Sequence, residues 1–249
     1  MLYNQKRQNN RLFIFGHRGA PRIHHENTIK SINKSIKLGV DGVEVDIQTT
    51  SDNKIILFHD EFIINKSIKH SIKNIKYKKL VELCKFNKTP QPDLMKDLIC
   101  VIKNNPQVVF NIEIKSKKLY NYKILDYILN QVPKDILFNQ CILSSFNFFL
   151  LIQLKFIFLY KGPLAFIIGG KHLKKQVFFQ IHKLMIIILD PIFLHVNINF
   201  TTEKLVKWVH HKSKIIHTYT INDKRSLDEC MLLGVDGVFT DNHEFYRKH

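Results

Sequence analysis

Arginine is scarce in this chain. Of 38 basic residues in 249, only six are Arg (positions 7, 11, 18, 22, 225 and 247), set against 21 acids and a formal net charge of +17. Nucleic-acid readers rely on Arg forks for phosphates and base edges. A Lys surplus without an Arg cluster argues against a nucleic-acid partner and describes a solvated surface. Cysteine is sparse as well: Cys84, Cys100, Cys141 and Cys230 show no C-x-x-C spacing. That excludes a thiolate zinc site or a disulfide scaffold and points to a reducing compartment. The opening MLYNQKRQNNR lacks the apolar core of a signal peptide. A clean membrane-length apolar run is also missing. Cys141 to Tyr160 comes nearest, but it carries Asn147, Gln153 and Lys155. It reads as strand, helix and strand rather than as a span. The expected location on these grounds is cytoplasmic.

What is present is apolar content: 45% of residues are hydrophobic, enough for a sizeable core and too much for disorder. Strand-like runs recur at Leu12–Phe15, Val43–Ile47, Ile55–Phe58, Val108–Ile114, Cys141–Leu143, Ile157–Tyr160, Met185–Leu189, Ile215–Tyr219 and Val238–Thr240. Helical periods lie between most of them, at 28–38, 201–211 and 225–233. Alternation of this kind predicts an α/β fold with parallel strands. An internal echo narrows it further. Leu38-Gly39-Val40-Asp41-Gly42-Val43 matches Leu233-Gly234-Val235-Asp236-Gly237-Val238, each a glycine-capped helix end leading through an Asp-Gly turn into a strand. One joint type used at both ends of the chain fits a closed TIM (β/α)8 barrel. Residues 61–106 interrupt the alternation, with eight lysines against the single acid Glu82 between 62 and 92. They are expected to form a small insertion after the second barrel strand region, within a single domain of residues 1–249.

Acids inside strands carry the chemical signal. In Val43-Glu44-Val45-Asp46-Ile47 the acids share one parity and the apolar residues the other, so Glu44 and Asp46 face the same way. Asn111, Glu113 and Lys115 repeat that pattern opposite Ile112 and Ile114. Buried carboxylates are costly unless they are paired or metal-bound. Three of them converging at a barrel mouth call for a hard divalent cation such as Mg²⁺ or Ca²⁺. Gly16-His17-Arg18-Gly19 follows the first strand and Phe58-His59-Asp60 ends another. Histidines can move protons near neutral pH, and Arg can grip a phosphate.

Together these stretches resemble the glycerophosphodiester phosphodiesterases. The matching segments are HRGA (17–20), ENT (26–28), GVEVDIQTTSDNKIILFHDE (42–61), NIEIK (111–115), SSF (144–146), YTIND (219–223) and GVDGVFTDN (234–242). The resemblance implies a β/α barrel that hydrolyses glycerophosphodiesters to glycerol 3-phosphate and an alcohol. It implies Glu44, Asp46 and Glu113 as metal ligands and His17 and His59 as the acid–base pair. Arg18 and Lys115 would bind phosphate, Glu26 and Asn27 would line the site, and Tyr219 would stand where the family usually has Trp. The attacker is water or the glycerol hydroxyl beside the phosphate. Two other readings stay open: a phospholipase D-like enzyme acting on lysophospholipids through peripheral membrane contact, and a basic protein that binds nucleic acid or anionic lipid.

Overall fold

A computed structural model describes residues 1–6, 11–116, 121–169 and 175–246; Arg7 and Arg247 lie outside them. The described residues form eleven strands: β1 (Phe13–Gly16), β2 (Gly42–Thr49), β3 (Ile55–Leu57), β4 (Phe62–Asn65), β5 (Ile68–Ser71), β6 (Val109–Ile114), β7 (Cys141–Ser145), β8 (Leu164–Ile168), β9 (Phe193–Asn197), β10 (Ile215–Tyr219) and β11 (Gly237–Thr240). The main sheet runs β1-β11-β10-β9-β8-β7-β6-β2, and a β1–β2 pairing closes it into an eight-stranded parallel TIM barrel. Strand β3 adds antiparallel to β2, and β4 and β5 form a separate hairpin.

Ten α-helices among the described residues accompany the strands: α1 (Leu2–Lys6), α2 (Ile29–Lys37), α3 (Tyr77–Phe86), α4 (Met95–Asn104), α5 (Tyr122–Gln131), α6 (Lys134–Asn139), α7 (Phe148–Ile152), α8 (Lys175–Leu189), α9 (Glu203–His211) and α10 (Lys224–Leu233). Thr28 caps α2 by accepting from Ser31 N–H, and Ile32 on its inner face is fully buried. Strand residues of one parity, such as Val43, Val45, Phe110 and Ile112, pack outward beneath these helices in the main core. The other parity fills the barrel. Its lower half is apolar, with Phe13, Phe15, Val109, Phe193 and Phe239 packed around Tyr3 from α1.

The insertion has a small core of its own, in which Ile63, Ile72, Leu80 and Leu83 close on Ile56. Helix α4 instead buries Met95, Leu98 and Ile102 in the main core. Both echoed joints have the same construction. Gly39 and Gly234 take left-handed φ values of +86° and +72°. Each following Asp then reaches the neighbouring strand: Asp41 accepts from Ile14 N–H at 3.0 Å and Asp236 from Ile216 N–H at 2.7 Å.

Two expected strands lie elsewhere. The run Ile157–Tyr160 follows α7 through a π-helical turn, Gln153–Ile157, and the fifth barrel strand is β8. Met185–Leu189 is the end of α8, with Ile186 and Leu189 buried and Ile187 and Ile188 exposed, and the sixth barrel strand is β9. Short apolar runs do not distinguish a buried strand from a half-buried helix. No helix of the described residues is long and apolar enough to cross a membrane.

Candidate active site

The upper half of the barrel interior is polar. Barrel register sets Glu44 beside Asn111 and Asp46 beside Glu113 on β2 and β6. Glu44, Asp46 and Glu113 each offer a carboxylate oxygen, and these oxygens lie within 4.8 Å of one another, all buried. Burial raises Glu44 well above the usual carboxylate range, and the neighbouring Asp46 and Glu113 raise it further. Burial and then Asp46 push Glu113 up to about 7. Burial also acts on Asp46, but Lys115 and Arg18 outweigh it and hold that carboxylate below its ordinary value. Lys115 Nζ lies 3.0 Å from Asp46 Oδ1 and 2.5 Å from Glu113 Oε1.

The loop after β1 supplies the next group. Gly19 has φ +89°, and a Cβ there would fall 2.7 Å from the Ser31 carbonyl carbon. The chain therefore turns tightly against α2 only because that residue is glycine. The turn aims Arg18 N–H at Glu44 Oε2, 2.8 Å away. It also brings the Arg18 Nε within 3.4 Å of Asp46 Oδ2. Burial opposes the Arg18 charge, and Asp46, Glu26 and Glu44 more than offset it.

Glu26 and Asn27 stand behind the cavity rather than in its lining. Glu26 accepts from Arg18 Nη1 at 2.9 and 3.0 Å. Asn27 exchanges two hydrogen bonds with Asp46, donating to Oδ2 at 2.8 Å and accepting from its N–H at 2.9 Å.

A cavity of about 140 Å³ opens above the acids, lined by His17, Arg18, Glu44, His59, Glu113, Lys115 and Tyr219 among others. His17 Nδ1 is 2.8 Å from Asp241 Oδ1, and its Nε2 is 3.9 Å from Glu44 Oε2. His59 stands across the mouth, with Nδ1 2.8 Å from Asp60 Oδ1. Burial lowers the His59 pKa, with Asp46 acting against it. Tyr219 donates to the Ile168 carbonyl at 3.1 Å, so its ring is fixed at the wall. Every side chain singled out from the sequence thus belongs to one cluster at the C-terminal end of the barrel strands.

A family model described as the glycerophosphoryl diester phosphodiesterase family matches residues 17–244. The chain belongs to that family. A glycerophosphodiester phosphodiesterase of Bacillus altitudinis is 24% identical over 246 residues, covering 92% of this chain and 94% of its own length. Another, from Caldanaerobacter subterraneus, is 24% identical over 241 residues, covering 93% and 94%. Among solved structures, the Thermotoga maritima glycerophosphodiester phosphodiesterase superposes with TM-score 0.72 at 24% identity, covering 96% of this chain and 98% of that one. An Oleispira antarctica phosphodiesterase in complex with the product sn-glycerol-3-phosphate gives 0.76 at 19% identity, covering 94% and 95%. Both likenesses concern the fold.

Within this phosphodiesterase family member, several site groups escaped the sequence reading. Asp241 lies in the TDN segment at the end of β11, and Asn222 in the segment after β10. Asn222 donates to Asp241 Oδ2 at 2.7 Å and accepts from the Asp241 N–H at 2.8 Å. Burial acts on Asp241, but the His17 hydrogen bond prevails and lowers its pKa. An acid just past the last barrel strand was the available signal. His195 on β9 offered none: it sits at the cavity floor, fully buried, its Nε2 without a hydrogen-bond partner among the described residues.

Proposed function

We propose that this chain is a metal-dependent phosphodiesterase that hydrolyses glycerophosphodiesters to glycerol 3-phosphate and an alcohol. The observation that carries this reading is the buried triad Glu44, Asp46 and Glu113 facing two histidines across one cavity. The family membership supports the substrate class.

The triad suits a hard divalent cation. Its donors are all carboxylate oxygens, and Glu44 Oε1 is buried without a hydrogen-bond partner among the described residues. Burial and then the neighbouring carboxylates raise the pKa values of two of the three acids despite Lys115 and Arg18 beside them. Glu44, Asp46 and Glu113 would hold Mg²⁺ or Ca²⁺. When bound, such an ion supplies Lewis-acid stabilisation of the phosphoryl charge.

Arg18, held by Glu26, and Lys115, held by Asp46 and Glu113 of the triad, bind the phosphate. His17 and His59 act as the acid–base pair. Asp241 takes the Nδ1 side of His17 and leaves Nε2 toward the cavity. One histidine removes the proton from the attacking hydroxyl, and the other protonates the departing alkoxide as the P–O bond breaks. Tyr219 packs against the glycerol portion. Residues 1–249 act as one catalytic domain, with 61–106 as its insertion; the small core of Ile63, Ile72, Leu80 and Leu83 supports this for the first part of that segment, while α4 packs in the main core.

The test is release of glycerol 3-phosphate from a panel of glycerophosphodiesters with Mg²⁺ or Ca²⁺ added. Turnover should vanish with EDTA and in His17→Ala. Undiminished turnover in either case overturns the mechanism.

A further inference from the structure

The small core of the insertion leaves one side of its hairpin uncovered. On β4, Ile63 turns inward onto Leu80 and Leu83, so its neighbours Phe62 and Ile64 turn outward. They are 40% and 53% exposed. Ile68, just past the two-residue turn Lys66-Ser67, is 60% exposed, and Phe86 at the end of α3 is 54% exposed. The two elements adjoin. Asn87, which follows α3, donates to the Ile64 carbonyl at 2.8 Å, and Lys66 Nζ stands 5.5 Å from the Phe86 ring centre. Scattered apolar residues are ordinary on a surface, but large ones gathered in one place mark a contact.

Charge identifies the partner. All eight lysines of residues 62–92 are exposed. Among the described residues only Lys79 has an ion-pair partner, Glu82 at 3.3 Å. Lys69 stands opposite Ile64 in the hairpin and shares its outward face. Cations interleaved with large apolar side chains match the headgroup boundary of an anionic bilayer, where Lys meets lipid charge while Ile and Phe enter the acyl edge. No Arg fork is needed, because such a surface attracts through its field. A second copy of this chain would set the same unpaired lysines face to face. A nucleic-acid backbone would take the charge but leave the apolar side chains in water. Helix α8 also exposes Leu184 and Ile187, but the cations there are engaged: Lys155 and Lys214 with Asp190, and Lys183 over the Trp208 ring.

We propose that the insertion hairpin docks this protein on anionic membrane. The hairpin also borders a cavity of about 540 Å³, lined by Ser71 and Lys73 from the insertion and by His59, Lys115 and Phe146 at the barrel mouth. Docking therefore sets that mouth beside the bilayer.

The full chain is sedimented with vesicles of phosphatidylcholine, alone or mixed with phosphatidylserine, without substrate and in EDTA, so the outcome is independent of the phosphodiesterase reading. It should bind the mixed vesicles at least about tenfold more tightly, and less so as salt rises. Two paired variants, Ile64→Ser with Ile68→Ser and Lys66→Gln with Lys69→Gln, should each weaken that binding about tenfold or more. Leu184→Ser with Ile187→Ser should not. In Ile68→Trp, emission should move to the blue on mixed vesicles beyond any change in wild type, whose one tryptophan is Trp208. That shift reports immersion even where a paired variant folds poorly. Equal binding to both vesicles, an unshifted emission, a hairpin pair that binds like wild type, or an equal loss in the α8 pair overturns the proposal. Retention of RNA in place of vesicles overturns it in favour of a nucleic-acid partner.

Discussion

His17 Nδ1 and Asp241 Oδ1 lie 2.8 Å apart, although 224 positions separate them in the chain. They meet because β1 and β11 are adjacent in the closed barrel, in register from Phe13↔Gly237 to Gly16↔Thr240. The bond fixes the ring and selects its tautomer, which is what a proton-transferring imidazole needs.

Asp241→Asn should therefore lower kcat by roughly 10²- to 10⁴-fold with little change in KM. Asp241 positions His17 and lies on its far side from the cavity, so substrate binding should survive. The pH–rate profile of the variant should also differ from that of wild type. A matched loss in KM, with an unchanged profile, would indicate damage to the fold instead.

Divalent cation should stabilise the folded chain. A ligand at about 100 times its Kd adds about 2.7 kcal/mol, read as a rise in Tm on adding Mg²⁺ or Ca²⁺. Glu44→Gln should abolish most of that rise. It should also raise the metal-free Tm, because it removes a buried carboxylate pressed by Asp46 and Glu113. A metal-induced rise undiminished in the variant would place the ion elsewhere.

Burial drives the His195 pKa down to about 3, so the native state holds this ring neutral. Unfolded, it takes a proton near pH 6.5. From there down to about 3 the unfolded state binds one more proton, and stability falls with pH by up to about 1.4 kcal/mol per unit. Glu44 and Glu113 act in the opposite sense: their raised values add stability as pH falls from about 7. The readout is accordingly the difference between wild type and His195→Gln in urea unfolding from pH 7 to pH 5. The variant should lose less stability, or gain more, across that range; parallel curves would refute the account.

Tyr3 closes the barrel floor. It is fully buried, packs on Phe13 and Phe193, and its hydroxyl lies 2.7 Å from His217 Nε2. Tyr3→Ala should cost about 3–5 kcal/mol, and Tyr3→Phe about 1–3 kcal/mol for the partner left behind. Thermal unfolding of both variants distinguishes a structural plug from a passive terminus.

Much of this molecule was legible in one dimension. The parity of Glu44 and Asp46, and of Asn111 and Glu113, fixed which residues share a face, because strand side chains alternate whatever surrounds them. The echoed Leu-Gly-Val-Asp-Gly-Val joints announced a recurring helix-to-strand turn, since left-handed glycine caps are a local property. What stayed hidden was whatever depends on neighbours distant in sequence. Whether Met185–Leu189 ends a helix or makes a strand is settled by which of its faces meets the core. That Asp241 serves His17, that Glu26 and Asn27 support Arg18 and Asp46 from behind, and that His195 underlies the cavity are consequences of closure. Sequence determined the inventory of charges and their facing; the closed barrel alone decided which acid repels, which is paired, and which histidine is held, because burial and distance set those energies.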